Sequence, residues 1–97
     1  MKVSFRSKKL ETLEGDASGS GYPPDTVKAF RKRLQFIRGT PDERDLRAMR
    51  SMRFEKLLGA RSHLYSLRLN DQWRLIFELE DQMGVRTLVV VDIEDYH

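Results

Sequence analysis

Two arginines stand out in this chain because of the pattern around them. His63, Tyr65, Leu67 and Leu69 alternate with Leu64, Ser66, Arg68 and Asn70. Trp73, Leu75, Phe77 and Leu79 alternate in the same way with Arg74, Ile76, Glu78 and Glu80. This period of two predicts two half-buried strands. Keeping both apolar sets on one face requires a loop with an odd number of residues, and Asn70, Asp71 and Gln72 supply three. In that register Arg68 stands directly across from Arg74 on the face away from the core, with Ser66 across from Ile76. Two like charges at a cross-strand pair destabilise a sheet, so the register predicts a compensating group. Either a carboxylate fills that role, from Glu55, Glu78 or the acidic tail, or a bound anion does.

Other reactive side chains are scarce. The chain of 97 residues has no cysteine and two histidines. Thiolate metal sites, disulfide frameworks and cysteine nucleophiles are thereby excluded, and little remains to ligate a metal or hold a cofactor. Histidine is the natural proton carrier near neutral pH, but the odd parity of His63 places it with Tyr65 and Leu67 on the core side. The formal charge of +3 hides an uneven distribution. Residues 1–38 carry +5, residues 39–43 carry −2, residues 44–74 carry +5 and residues 75–97 carry −5. The basic stretches either face an anionic partner or pair with the acidic tail in the fold.

The elements that must position these groups follow from apolar spacing and from turn residues. A chain of this length makes one domain, residues 1–97. Val3 and Phe5 mark a short first strand, Ser7 caps a helix through Leu10 and Leu13, and Gly15 to Pro24 reads as an exposed loop. Pro23 and Pro24 open a second helix whose stripe of Val27, Phe30, Leu34 and Ile37 faces the core, and Gly39 closes it. Thr40 and Pro41 predict the N-cap and first position of a third, shorter helix. Arg44, Arg47, Arg50 and Arg53 recur every three residues from there, either to meet an anionic partner or as a solubilising face. Residues 52–58 read as a strand, and residues 86–93, apolar on both faces, as an interior strand reached by a turn at Asp81 to Gly84. The order predicts an α+β domain, with an N-terminal strand and two to three helices packed on one face of a mainly antiparallel sheet. No apolar run is long enough to span a bilayer and the start lacks a signal peptide's apolar stretch, so a cytoplasmic protein without membrane contact is expected.

Several segments carry a family resemblance. They are Glu55-Lys56-Leu57-Leu58-Gly59-Ala60-Arg61, then Tyr65-Ser66-Leu67-Arg68-Leu69-Asn70 with Trp73-Arg74-Leu75-Ile76-Phe77, and the end Asp92-Ile93-Glu94-Asp95-Tyr96-His97. Phe5-Arg6-Ser7-Lys8-Lys9-Leu10 and the Gly/Ser loop before Pro23 add to them. In this order, over nearly the whole chain, the sequence resembles the HigB-type toxins of the RelE/ParE superfamily. The resemblance implies a RelE-like fold and a ribosome-dependent endoribonuclease that cuts mRNA in the A site without a metal or cofactor. It also implies a helix-turn-helix, HigA-like antitoxin, with operator DNA contacted only through that antitoxin.

The resemblance assigns roles residue by residue. It makes His97 the proton carrier, with Tyr96 beside it to orient it or stack on a base, and Asp95 to orient His97 or take a proton itself. It gives Arg74 the scissile phosphate. Arg68, Lys56 and Arg61 would complete the anion site with Ser66 beside them, and the series Arg44, Arg47, Arg50 and Arg53 would either embrace RNA phosphates or serve only as a solubilising face. A planar, permanently charged fork suits arginine to bind two phosphate oxygens at once. One departure concerns Glu55, which stands near where some members have a histidine in a His-Pro-Leu-Lys arrangement, so the division of acid and base roles is open. The competing expectation is a non-enzymatic binding module on the same scaffold, a gyrase inhibitor or an inactive toxin acting in operon autoregulation.

Overall fold

The computed structural model describes residues 1–16 and 21–96. Strand β1, Lys2–Phe5, leads into helix α1, Lys8–Gly15, and helix α2, Pro24–Arg38. A short helix α3, Arg44–Ala48, follows. The chain then runs through β2, Glu55–Lys56, β3, Tyr65–Arg68, β4, Trp73–Gln82, and β5, Val85–Asp95. The five strands form one sheet in the order β1-β5-β4-β3-β2. The pair β1 and β5 is parallel and every other pair is antiparallel. This is the expected α+β architecture, with β5 in the interior position that its two apolar faces require.

One face of the sheet meets the helices. Leu10 and Leu13 of α1, then Val27, Phe30, Leu34 and Ile37 of α2, pack with Leu67, Leu75, Phe77, Leu88, Val90 and Ile93 in a single core. The 3.6-residue stripe and the two-residue alternation meet there, and burial of these side chains is the main force that holds the layers together. A bulge in β5 reconciles its two ends: Ile76 pairs with Asp92 while Phe77 pairs with Val90. The extra residue, Val91, lets both Ile93 and Val90 face the core. On the other face, Arg6 lies over the sheet and bonds Glu78 and Glu80 at 2.9 and 2.7 Å. The Glu78 carboxyl is held below its ordinary value, chiefly by the hydrogen bond from Arg6.

Three expectations about the middle of the chain need correction. Thr40 does not cap α3. It is buried at the end of α2, where its hydroxyl donates to the carbonyl of Ile37 at 2.7 Å, so satisfying a helix-end carbonyl takes precedence over starting the next helix. The start of α3 falls to Arg44, whose N–H donates to Asp42 at 2.9 Å. Arg44, Arg47, Arg50 and Arg53 also share no helix face. The helix stops at Ala48, Met49 is extended, Arg50–Met52 form a single 3₁₀ turn and Arg53 adopts left-handed backbone. The strand expected over residues 52–58 shrinks to Glu55–Lys56.

Candidate functional site

The β3–β4 hairpin has the expected register: Arg68 is the cross-strand partner of Arg74 and Ser66 that of Ile76. Its loop is braced by Asn70, whose Oδ1 accepts from the N–H groups of Gln72 and Trp73 at 3.0 and 2.9 Å. The Nδ2 of Asn70 donates to Thr26 Oγ1 on α2 at 3.2 Å. A two-residue-period strand and a side-chain-stapled loop therefore fix both arginines at one end of the sheet. The end of β5 is tied to the same loop, since Tyr96 N–H donates to the Gln72 carbonyl at 2.6 Å.

Arg74 is buried, with 5% of its surface exposed. A buried guanidinium normally holds a close carboxylate, yet Glu55 comes only to 3.9 Å from Nη2. The remaining contacts are the Arg53 carbonyl, which accepts from Nη2 at 2.5 Å, and the Tyr96 ring, whose centroid lies 4.8 Å from the guanidinium carbon. Its Nε has no hydrogen-bond partner. Glu94, directly across the ladder, is engaged by Arg61 at 2.6 Å. Arg68 pairs with Asp71 of the loop. Behind it, Arg33 of α2 donates to the Arg68 carbonyl at 2.9 Å, and burial, followed by the charge of Arg68, holds its guanidinium below the ordinary arginine value.

Arg53, Arg68, Asn70, Asp71, Arg74 and Tyr96 line a cleft of about 290 Å³. Three guanidinium groups and a single carboxylate around so small a space leave an excess of positive charge near an aromatic ring. That combination of charge and ring has the chemistry to hold an anion attached to a flat group.

The other residues singled out in the sequence lie as follows. Arg61 is on the cleft's face of the sheet, joined to Glu94. Ser66 is buried in the same face, paired with Glu55, and its Oγ has no partner. Lys56 pairs with Tyr65 and so points to the opposite face, away from Arg74. Alternation does the same for Asp95, which is across from Trp73 and accepts from Gln72 Nε2 at 3.0 Å. Arg44 bonds Asp42 at 2.8 Å, and Arg47 lies over the Phe54 ring at 4.3 Å, neither of them at the cleft. His63 is exposed in the turn before β3, because the strand starts at Tyr65 and the parity argument does not reach it. His97 lies outside the described residues.

The cleft also uses Asn70, Asp71 and Arg53, which the sequence reading did not place there. Asn and Asp between two strand arginines were a signal, since both types brace turns. Nothing in the sequence marks the left-handed turn at Arg53.

Known proteins resemble this chain in sequence and in fold. A family model described as RelE-like toxin of type II toxin-antitoxin system HigB matches residues 3–97. Toxin HigB-1 of Vibrio cholerae serotype O1 is 32% identical over 88 residues, covering 90% of this chain and 93% of that protein. Among solved structures, the YoeB/ParE toxin from Agrobacterium tumefaciens superposes with a TM-score of 0.63 at 17% identity, over 100% of both chains. The YoeB of a YoeB-YefM complex from Staphylococcus aureus gives 0.62 at 20% identity, over 100% of this chain and 97% of that one. YafQ from E. coli gives 0.59 at 13%, over 97% and 91%. With a family model spanning residues 3–97 and a curated relative at 32% identity, this chain belongs to the HigB-like toxins, RelE-like members of type II toxin–antitoxin systems.

Proposed function

We propose that this toxin is a ribosome-dependent mRNA endoribonuclease that cuts the message in the A site by attack of a 2′-hydroxyl on the adjacent phosphate. In that reaction the 2′-oxygen bonds to phosphorus, the bond to the 5′-oxygen breaks, and a proton passes from the attacking to the leaving oxygen. The crowded intermediate carries extra negative charge, and fixed guanidinium groups are the side chains best suited to stabilise it. Arg74 and Arg68 take this role. Tyr96 offers its half-exposed ring to a base. His97, assigned by family resemblance, carries the proton, and Glu55, on the same face, lies 3.9 Å from Arg74. The single observation that supports this reading most is Arg74 itself, a buried cation with a distant carboxylate and an unused Nε.

In this reading the toxin acts in the cytoplasm, where translation occurs, and is held inactive by a helix-turn-helix antitoxin of the HigA kind. A relative of the same fold has been solved as a YoeB-YefM complex, so an antitoxin partner suits this scaffold. The test is to map mRNA 5′ ends after brief induction of the wild-type chain, of Arg74→Ala and of a chain lacking His97. New ends within translated codons for the wild type alone are the expected result. Arrested growth with intact transcripts and altered DNA supercoiling would replace the nuclease with a gyrase inhibitor.

A further inference from the structure

Arg53 is held in an unusual conformation for a reason that the cleft explains. Its backbone is left-handed, with φ 46° and ψ 55°, a region that costs a side-chain-bearing residue energy and persists only where its surroundings enforce it. The turn results from closing the preceding 3₁₀ segment, since Arg53 N–H donates to the Arg50 carbonyl at 3.1 Å. The reversal has two consequences. It aims the Arg53 carbonyl at Arg74 Nη2, 2.5 Å away, and it places Arg53, an exposed residue, in the lining of the cleft. Among the described residues no carboxylate pairs with the Arg53 guanidinium, whereas Arg61 and Arg68 have close carboxylate partners.

We propose that Arg53 is a third phosphate-binding arm of the cleft and also the residue that positions Arg74, so that the cleft holds two consecutive phosphates of single-stranded RNA. Arg68 and Arg74, side by side on the ladder, hold one phosphate between their forks. Arg53 approaches from the segment before β2 and takes the neighbouring phosphate. Its carbonyl occupies one Nη2 proton of Arg74, which fixes the plane of that guanidinium and leaves its other donors for the ligand. The Tyr96 ring on the far side of Arg74 completes a surface for a nucleotide flanked by two phosphates.

The inference rests on the nuclease reading for its ligand, but its test does not depend on cleavage. A fluorescent, uncleavable 2′-O-methyl oligoribonucleotide is titrated into the purified full chain over a series of salt concentrations. Two variants separate the two roles. Arg53→Gly favours the left-handed backbone, so it keeps the carbonyl in place and removes only the cation. Arg53→Val resists that backbone and removes both. Loss of the cation is expected to weaken binding roughly tenfold, the scale of one charge-assisted contact, and to lower the slope of log affinity against log salt by about 0.7, the share of one phosphate on a single strand. Arg53→Val should lower the slope by about twice as much, since Arg74 is then misplaced. A merely structural role would leave the slope unchanged.

Failure of the wild-type chain to bind, or an Arg53→Gly chain with wild-type affinity and slope, would overturn the proposal. Equal losses in the two variants would remove the positioning role, and the melting temperature of each chain identifies loss of fold. An Arg53-dependent slope without mRNA cuts in cells leaves this inference standing and overturns the nuclease reading. Cuts that persist in Arg53→Gly, with unchanged binding, do the reverse.

Discussion

The β4–β5 hairpin carries an arginine near each end, and the two are treated in opposite ways. Near the turn, Arg86 is fully occupied. It bonds Glu43 through Nε and Nη2 at 3.0 and 2.6 Å and lies 3.4 Å from Asp81. The Glu43 carboxyl is correspondingly held below its ordinary range, first by that hydrogen bond. At the open end, the more deeply buried Arg74 has a carbonyl, a ring and a carboxylate at 3.9 Å. A folded protein satisfies its buried charges where they serve only the fold. The difference therefore separates an arginine that ties the start of a helix to a hairpin from one that, among the described residues, has no close carboxylate, as the proposed phosphate contact requires.

The largest effect that sharpens this contrast is expected from Arg74→Met. Mapping of mRNA ends should show cutting reduced by at least about 100-fold, because a cation aimed at the developing phosphorane charge is lost. The melting temperature should hold or rise, since an apolar side chain of similar length removes a poorly compensated buried charge. A marked fall in melting temperature would place Arg74 beside Arg86 as a structural residue and erase the distinction.

Glu43→Gln should do the opposite, costing about 1 kcal/mol of stability while leaving cutting unchanged, as read by denaturant unfolding and the same RNA assay. Its pH dependence has a definite sign. A carboxyl whose folded pKa lies below its ordinary value of 4.5 stabilises the fold fully above that value, and the contribution disappears as pH falls through the folded value. Wild-type stability should thus drop on acidification through this window, and Glu43→Gln should lose that component of the drop.

A smaller change is expected from Asp71→Asn. Asp71 pairs with Arg68 at the cleft, so its neutralisation should tighten binding of an uncleavable oligoribonucleotide by about threefold, the scale of one exposed ion pair. Weaker binding would show that Asp71 orients Arg68 instead of competing with RNA for it. The smallest effect belongs to the hairpin turn, where Met83 has φ 51° beside Gly84 at φ 81°. Arg53 is left-handed at the cleft, whereas Met83 is left-handed with its side chain fully in solvent. Met83→Asn should raise stability by about 0.5 kcal/mol in thermal unfolding, with binding and cutting untouched.

The sequence exposed those parts of the molecule governed by period and by loop parity. Leu67, Leu69, Leu75 and Phe77 alternate cleanly, and that alternation alone places Arg68 beside Arg74. Capping signals were less reliable, since Thr40 has an N-cap's composition but meets the nearby Ile37 carbonyl first. Residues 49–64 were the least legible. Their arginine spacing mimics a helix, while the chain there turns on 3₁₀ bonds and one left-handed residue, which tertiary contacts impose and spacing does not encode. Arg53 was consequently grouped with Arg44, Arg47 and Arg50, either for RNA phosphates or as a solubilising face, and not with Arg68 and Arg74, beside which it lines the cleft. The partition of charge between Lys56 and Glu55 was lost for the same reason, since it depends on the register of a two-residue strand.

The parallel pairing of β1 with β5 also bears on the order in which the fold is completed. Lys2–Phe5 finds its partners at Thr87–Val90, with nearly the whole chain between them. Contacts that close so long a loop form late in folding, because the entropy of closure must be met before they contribute. Until β5 docks, β1 has no strand beside it, Leu88 and Val90 are missing from the core, and Tyr96 has no strand to bring it over Arg74. Synthesis delivers Tyr96 after every other described residue of the cleft, so the cleft is complete only once β5 has formed on β4.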